Sequence, residues 1–213
     1  MKNVFLIDDH PVMRYGLSQL INAEEDLKIC GEAGEASGAI NLIAECDPDL
    51  VIVDISLPDK SGLELLKEIR AIHPGIATLV LSSHDESLYA ERSLKAGALG
   101  YVMKEEAPEK LVAAIRAVCE GKIFVSEKMS NAILSAFSGR GKSSGGSPLE
   151  QLTDREFEVF ELIGQGKGSR AIAGLLCISV STVDAHRAHI KSKLELSDGN
   201  ALVRHAVRWV ESQ

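Results

Sequence analysis

Cysteine is scarce in this chain. Its four cysteines, Cys30, Cys46, Cys119 and Cys177, lie far apart and form no C-x-x-C pair. That spacing argues against a zinc cluster or a disulfide framework and leaves reduced thiols, as in a cytoplasm. Long apolar runs are missing as well. No segment approaches the roughly 18 apolar residues of a membrane span, and the four-residue run before Asp8-Asp9 is too short for a signal peptide. A cytoplasmic protein without membrane contact is expected. Positive charge is also in short supply: the formal net charge is -8, which as an average argues against nucleic acid as a partner. The average hides an uneven distribution. Residues 1–125 carry 12 Lys and Arg against 21 Asp and Glu, residues 126–148 three against one, and residues 149–213 eight against nine. The acidity belongs to the first part.

What the first part does have is alternation. The short apolar runs VFLI (4–7), LKICGEA (27–33), LVIVDI (50–55), ATLVLSS (77–83) and GYVM (100–103) are separated by segments with apolar residues three or four apart. Five β-α units in 125 residues predict an α/β domain, a five-stranded parallel sheet with helices on both faces. Residues 126–137 fit one more helix. The stretch SGRGKSSGGSP (138–148) has no apolar residue and reads as a flexible linker. From Leu149 onward the pattern is helical only. The expected organisation is therefore a domain over 1–125, a linker over 126–148 and a small all-α domain over 149–213.

Polar residues interrupt the apolar runs at matching places. Asp8 and Asp9 follow the first, Asp54 comes near the end of the third, Ser82 and Ser83 close the fourth, and Lys104 follows the fifth. In a parallel sheet all of these lie on the carboxyl edge, where open α/β sheets bind ligands. Taken singly, each has a dull explanation, such as helix capping for an Asp or a solvated charge for the Lys. If the first and third strands are neighbours, about 4.8 Å apart, Asp8, Asp9 and Asp54 converge. Three carboxylates so close call for a cation, and oxygen donors select a hard one such as Mg²⁺. Around that point Asp54 can act as a nucleophile that forms an acyl phosphate, Ser82 can donate a hydrogen bond, and Lys104 can pair with a phosphoryl group.

Asp8-Asp9, DISLPDKSG with Asp54, LSS with Ser82, and GYVMK with Tyr101 and Lys104 together resemble the receiver domain of two-component response regulators. The resemblance implies a doubly wound, flavodoxin-like sheet, with Asp54 accepting phosphate from a sensor histidine kinase and Ser82 and Tyr101 as the switch pair. It also implies that the Ser56 backbone carbonyl completes the metal shell, with Asp9 a direct ligand and Asp8 acting through water. Two rivals fail on residues. An Asp-nucleophile phosphohydrolase of the haloacid dehalogenase type needs a second Asp where Ser56 stands, and an FMN site would be repelled by DDHP.

In the second domain, Thr153 with Glu156 three residues on is a capping box. A helix to about Gly164, a short helix over 169–176, a tight turn and a longer helix over 180–194 form a helix-turn-helix layout. At about 100° per residue, Val183, Ile190 and Leu194 share the core face. Ser181, Asp184, Ala185, Ala188 and Ser192 share the opposite one, where small residues allow approach to base edges. Arg187, Lys191 and Lys193 flank that face, and Lys167 and Arg170 precede it.

LTDREFEVFELIGQGK, AIAGLL and SVSTVDAHRAHIKSKL resemble the DNA-binding domain of NarL/FixJ (LuxR-type) regulators, with Thr182-Val183 and the run from His186 the nearest matches. The resemblance implies a double-stranded DNA partner, with Ser181, Asp184, Ala185 and Ala188 in the major groove. It also implies a phosphorylation-dependent homodimer, to which the last helix can contribute. Leu202, Ala206, Trp209 and Val210 fit either that role or the core. Asp184 departs from the usual Lys or Glu, is disfavoured beside phosphate, and can accept from a cytosine amino group. The expectation is a transcriptional response regulator and not an enzyme, beyond phosphoryl transfer to its own Asp54 and its reversal. A phosphorylation-independent regulator, whose receiver only dimerises or docks a partner, is the alternative.

Overall fold

The computed structural model describes residues 1–137 and 148–212. It forms two compact units, divided at residues 142 and 143. The linker expected over 138–148 lies, apart from Pro148, outside the described residues.

The first unit alternates β1 (Lys2–Ile7), α1 (Pro11–Asn22), β2 (Leu27–Ala33), α2 (Ala39–Cys46), β3 (Leu50–Val53), α3 (Gly62–Ile72), β4 (Ala77–Ser82), α4 (Glu86–Ala96), β5 (Gly100–Met103) and α5 (Pro108–Cys119), with α6 (Glu127–Phe137) after them. All strand pairs are parallel, in the order β2-β1-β3-β4-β5. Val4–Ile7 and Leu50–Val53 are completely buried, as continuous apolar runs in a sheet covered on both faces must be. On one face Val4, Leu6, Leu50, Ile52, Leu79, Leu81 and Val102 pack with Leu17 and Ile21 of α1 and with Leu111, Ile115 and Val118 of α5. The helices α2, α3 and α4 bury Ile43, Leu63, Leu66, Ile69 and Tyr89.

Strand order is what makes the site. The chain leaves β1 for β2 on one side and then crosses to β3 on the other, so β1 and β3 are neighbours at the point where the winding reverses. Ile7 pairs with Val53, and the Asp54 N–H donates to the Ile7 carbonyl over 2.9 Å. Asp8 and Asp54 therefore leave the sheet side by side. β3 ends at Val53, earlier than the apolar run suggests, because the Ser56 N–H turns back onto Asp54 Oδ1 at 3.2 Å. Gly62, which opens α3, allows a tight approach there: a Cβ on it would stand 2.0 Å from the Asp54 carbonyl oxygen.

The second unit has a 3₁₀ turn (Pro148–Gln151) followed by α7 (Asp154–Gly164), α8 (Ser169–Leu175), α9 (Val180–Lys193) and α10 (Gly199–Glu211). The capping box forms: Thr153 Oγ1 accepts from the Glu156 N–H, and Glu156 Oε2 accepts from the Thr153 N–H. Phe157, Phe160, Ile163, Ile172, Val183, Ile190, Leu202 and Ala206 make the core. The Trp209 ring packs edge to face with Phe157 and tilted against Phe160, at centroid distances of 5.4 and 5.6 Å, so it belongs to that core. Gly164 lets α7 close on α10, since a Cβ there would stand 2.6 Å from the Ala206 carbonyl.

Candidate functional site

At the carboxyl edge, Lys104 reaches across from the end of β5. Its Nζ lies 2.6 Å from Asp8 Oδ2 and 2.7 Å from Asp54 Oδ2, with all three side chains at most 8% exposed. The Lys104 N–H donates to the Ser82 carbonyl over 2.9 Å, which fixes the residue where β5 leaves β4. Burial pushes the Asp54 carboxyl above the ordinary aspartate range; Lys104 opposes that rise and Asp8 adds to it. Burial alone would pull the Lys104 ammonium down, but Asp54 and Asp8 hold it above its ordinary value.

Asp9 completes the acidic set. Ligand atoms of Asp8, Asp9, His10 and Asp54 all lie within 4.8 Å of one another. Asp9 Oδ1 is buried and accepts no well-formed hydrogen bond, although His10 Nδ1 lies 2.5 Å away. Three carboxylates against one ammonium leave two negative charges, the complement of a divalent ion. The donors fit Mg²⁺, which prefers carboxylate oxygens and retains several waters. His10, the residue before α1, is two-thirds exposed, and its ring leans on Asp9.

Ser82 and Tyr101, both buried, meet at one residue that carried no signal in the sequence. The His84 N–H donates to Ser82 Oγ at 3.2 Å, and the Tyr101 hydroxyl donates to the His84 carbonyl at 2.8 Å. The His84 ring reaches Ser56 Oγ at 2.9 Å and lies 4.4 Å, centroid to centroid, from the Tyr89 ring. His84 thus ties the loop after β3 to β4, β5 and α4.

In the second unit, Ser179 caps α9 by accepting from the Thr182 N–H at 3.0 Å. Ser181, Thr182, Asp184, Ala185 and Ala188 are exposed along one side of α9, while Val183 and Ile190 are buried on the other. Lys167 and Arg170 are exposed, and Arg187 and Lys191 are half-buried. Lys193 is placed differently: its ammonium lies 2.6 Å from Glu156 Oε2, which ties the end of α9 to the start of α7. Ser169 Oγ donates to Asp184 Oδ1 over 2.9 Å, joining α8 to α9.

This fold and edge define a receiver module joined to a helix-turn-helix module. Residues 4–116 match the response regulator receiver domain, and residues 150–206 match the bacterial regulatory proteins of the luxR family. Relatives include the oxygen regulatory protein NreC of Staphylococcus epidermidis, 34% identical over 210 residues and covering 96% of both chains. NreC of Staphylococcus carnosus is 33% identical over 209 residues, again covering 96% of each. Among solved structures, the response regulator ChrA of a heme-sensing two-component system is 31% identical, with 98% of this chain and 97% of that one covered and a TM-score of 0.52. RcsB of Salmonella enterica serovar Typhimurium, bound to promoter rprA with a phosphomimetic, is 25% identical, with 97% and 98% covered and a TM-score of 0.63. The chain belongs to the LuxR-type (NarL/FixJ) family of two-component response regulators. It is a transcription regulator with a receiver and a DNA-binding domain. Among the described residues no helix is long and apolar enough to cross a membrane.

Proposed function

We propose that Asp54 is the phosphoryl acceptor, loaded by a sensor histidine kinase, and that its state controls sequence-specific DNA binding by a homodimer in the cytoplasm. The receiver is residues 1–125, the linker 126–148 and the DNA-binding domain 149–213. The observation that carries this reading is the Lys104 ammonium held between Asp8 and Asp54 at the sheet's winding reversal. In the transfer, an Asp54 carboxylate oxygen bonds to phosphorus as the phosphorus–nitrogen bond of a phosphohistidine breaks, and its electron pair returns to the imidazole. Lys104 balances charge on the phosphoryl oxygens and Ser82 donates a hydrogen bond to one of them. Asp9, Asp8, Asp54 and the Ser56 carbonyl would hold Mg²⁺, which when bound neutralises the phosphoryl oxygens. Slow hydrolysis of the acyl phosphate by the same pocket resets the switch.

Ser82 and Tyr101 report the change through His84, to which both are bonded. On DNA, Ser181, Asp184, Ala185 and Ala188 face base edges, while Thr182, Arg187, Lys191, Arg170 and Lys167 lie towards the phosphates; Lys193 flanks that face with its ammonium on Glu156. With few cations per domain, affinity depends on two copies and falls steeply with salt. RcsB, a similar protein, binds promoter DNA, and two RcsB dimers sit on two parallel DNAs.

The test is incubation of the intact chain with acetyl phosphate and Mg²⁺, read by mass, beside Asp54→Ala. One phosphoryl adduct that Asp54→Ala lacks is expected; uptake by Asp54→Ala would overturn the assignment. DNA selection with and without the phosphodonor should return the same motif, more strongly enriched with it.

A further inference from the structure

Among the 14 residues of α9, Asp184 is the only acid. It stands on the exposed side of the helix, between small residues, where a negative charge weakens every nearby phosphate contact. Its geometry assigns it a use. Ser169, the first residue of α8, donates its hydroxyl proton to Asp184 Oδ1 over 2.9 Å. That bond selects one side-chain orientation and occupies one oxygen. The other oxygen meets no partner among the described residues, so the carboxylate is an acceptor held in place with one free lobe.

We infer that Ser169 and Asp184 form a base-reading pair that selects cytosine at one position of the operator, Asp184 making the contact and Ser169 positioning it. The inference rests on the proposal that the exposed side of α9 enters the major groove. A carboxylate only accepts hydrogen bonds. In the major groove cytosine offers a single donor, its N4 amino group, whereas guanine offers N7 and O6, both acceptors, and thymine offers O4 beside a methyl group. Adenine has a donor at N6 but an acceptor at N7 beside it, so it ranks second. The preference for cytosine arises as much from repulsion of guanine and thymine as from attraction. Holding Oδ1 on Ser169 removes rotamers that would otherwise be lost on binding, which strengthens the discrimination.

The same bond would serve as a packing brace between α8 and α9, and the two roles separate in a selection from random DNA with the intact chain. Asp184→Ala should flatten one column of the motif, lowering its cytosine preference about tenfold, and leave the other columns intact. Ser169→Ala should weaken that same column severalfold, and Ser169→Thr, which keeps the hydroxyl, should preserve it. Asp184→Asn gives the most diagnostic result. With its carbonyl oxygen on Ser169 it presents an amino group outward, so the column should turn from cytosine towards bases with acceptor edges, guanine first. In Ser169→Ala/Asp184→Asn the freed amide can pair both its groups with adenine N6 and N7, and the column should move to adenine. A brace alone would lower affinity evenly across all columns, and that outcome overturns the inference. So does a column that Asp184→Ala changes but Ser169→Ala does not, since Ser169 then positions nothing. If the unsubstituted chain returns no motif, the DNA-contact assignment falls and this inference falls with it.

Discussion

Lys104 Nζ lies 2.7 Å from Asp54 Oδ2 across fifty positions of sequence, and the same ammonium touches Asp8. Without it, two nearly buried carboxylates would face each other uncompensated. Lys104→Met should destabilise the receiver by about 1–3 kcal/mol at neutral pH, less than for a fully enclosed pair because the adjoining Asp9 side chain is 31% exposed and admits water. Since Asp54 is already pushed above the ordinary aspartate range, protonating it relieves the repulsion, and the deficit should shrink as pH falls towards 5. Thermal unfolding followed by circular dichroism at both pH values checks the sign.

Asp9 adds the third carboxylate, with a buried oxygen that lacks a well-formed hydrogen bond. Asp9→Asn should raise receiver stability by about 1 kcal/mol in EDTA and abolish the rise in melting temperature that Mg²⁺ gives the unsubstituted chain. Equal stability of the two proteins in EDTA would count against the charge argument.

His84→Ala removes the bond to Ser56 and the ring contact with Tyr89 but keeps the backbone bonds to Ser82 and Tyr101. Phosphoryl uptake should persist while the acyl phosphate's lifetime shortens by roughly threefold to tenfold, because the loop after β3 shields it less from water. Phosphate release after removal of the donor measures this.

Glu156 is held below the ordinary glutamate range: burial works against this, but Lys193 and the Thr153 N–H and hydroxyl outweigh it. A carboxyl with a depressed folded pKa contributes stability above its unfolded value and loses it as pH falls through the folded one. The DNA-binding unit should therefore keep its stability down to about pH 5 and lose it below the ordinary glutamate range. Glu156→Gln should be less stable at neutral pH, with a flatter acid limb, by amide hydrogen exchange in α7.

Cys177, exposed in the turn between α8 and α9, has φ of 50°, in the left-handed region where a side chain is strained. Cys177→Gly should stabilise the unit by about 0.5–1 kcal/mol, the relief of that strain less the entropy that glycine adds to the unfolded chain. Chemical denaturation at fixed pH tests it.

The strands are legible because β1 and β3 contain the unbroken apolar runs VFLI and LVIV, and α7 because its capping box lies within four residues. Adjacency of β1 and β3 could be stated only as a condition, since strand order arises from packing between distant segments. His84 was silent: its role comes from two backbone groups and a ring that meet Ser56, Ser82, Tyr89 and Tyr101 only in three dimensions. Lys193 read as a DNA-flanking cation, yet its ammonium lies on Glu156, a partner 37 residues away. Sequence shows that a charge exists, and the fold decides what neutralises it.

The chain has one tryptophan, Trp209, seated against Phe157 and Phe160 in the DNA-binding unit. The receiver has none, so the protein carries an intrinsic optical probe confined to its output half. A change in tryptophan emission on adding a phosphodonor to the intact chain, absent in Asp54→Ala, would record the signal's arrival in the unit that does not receive it.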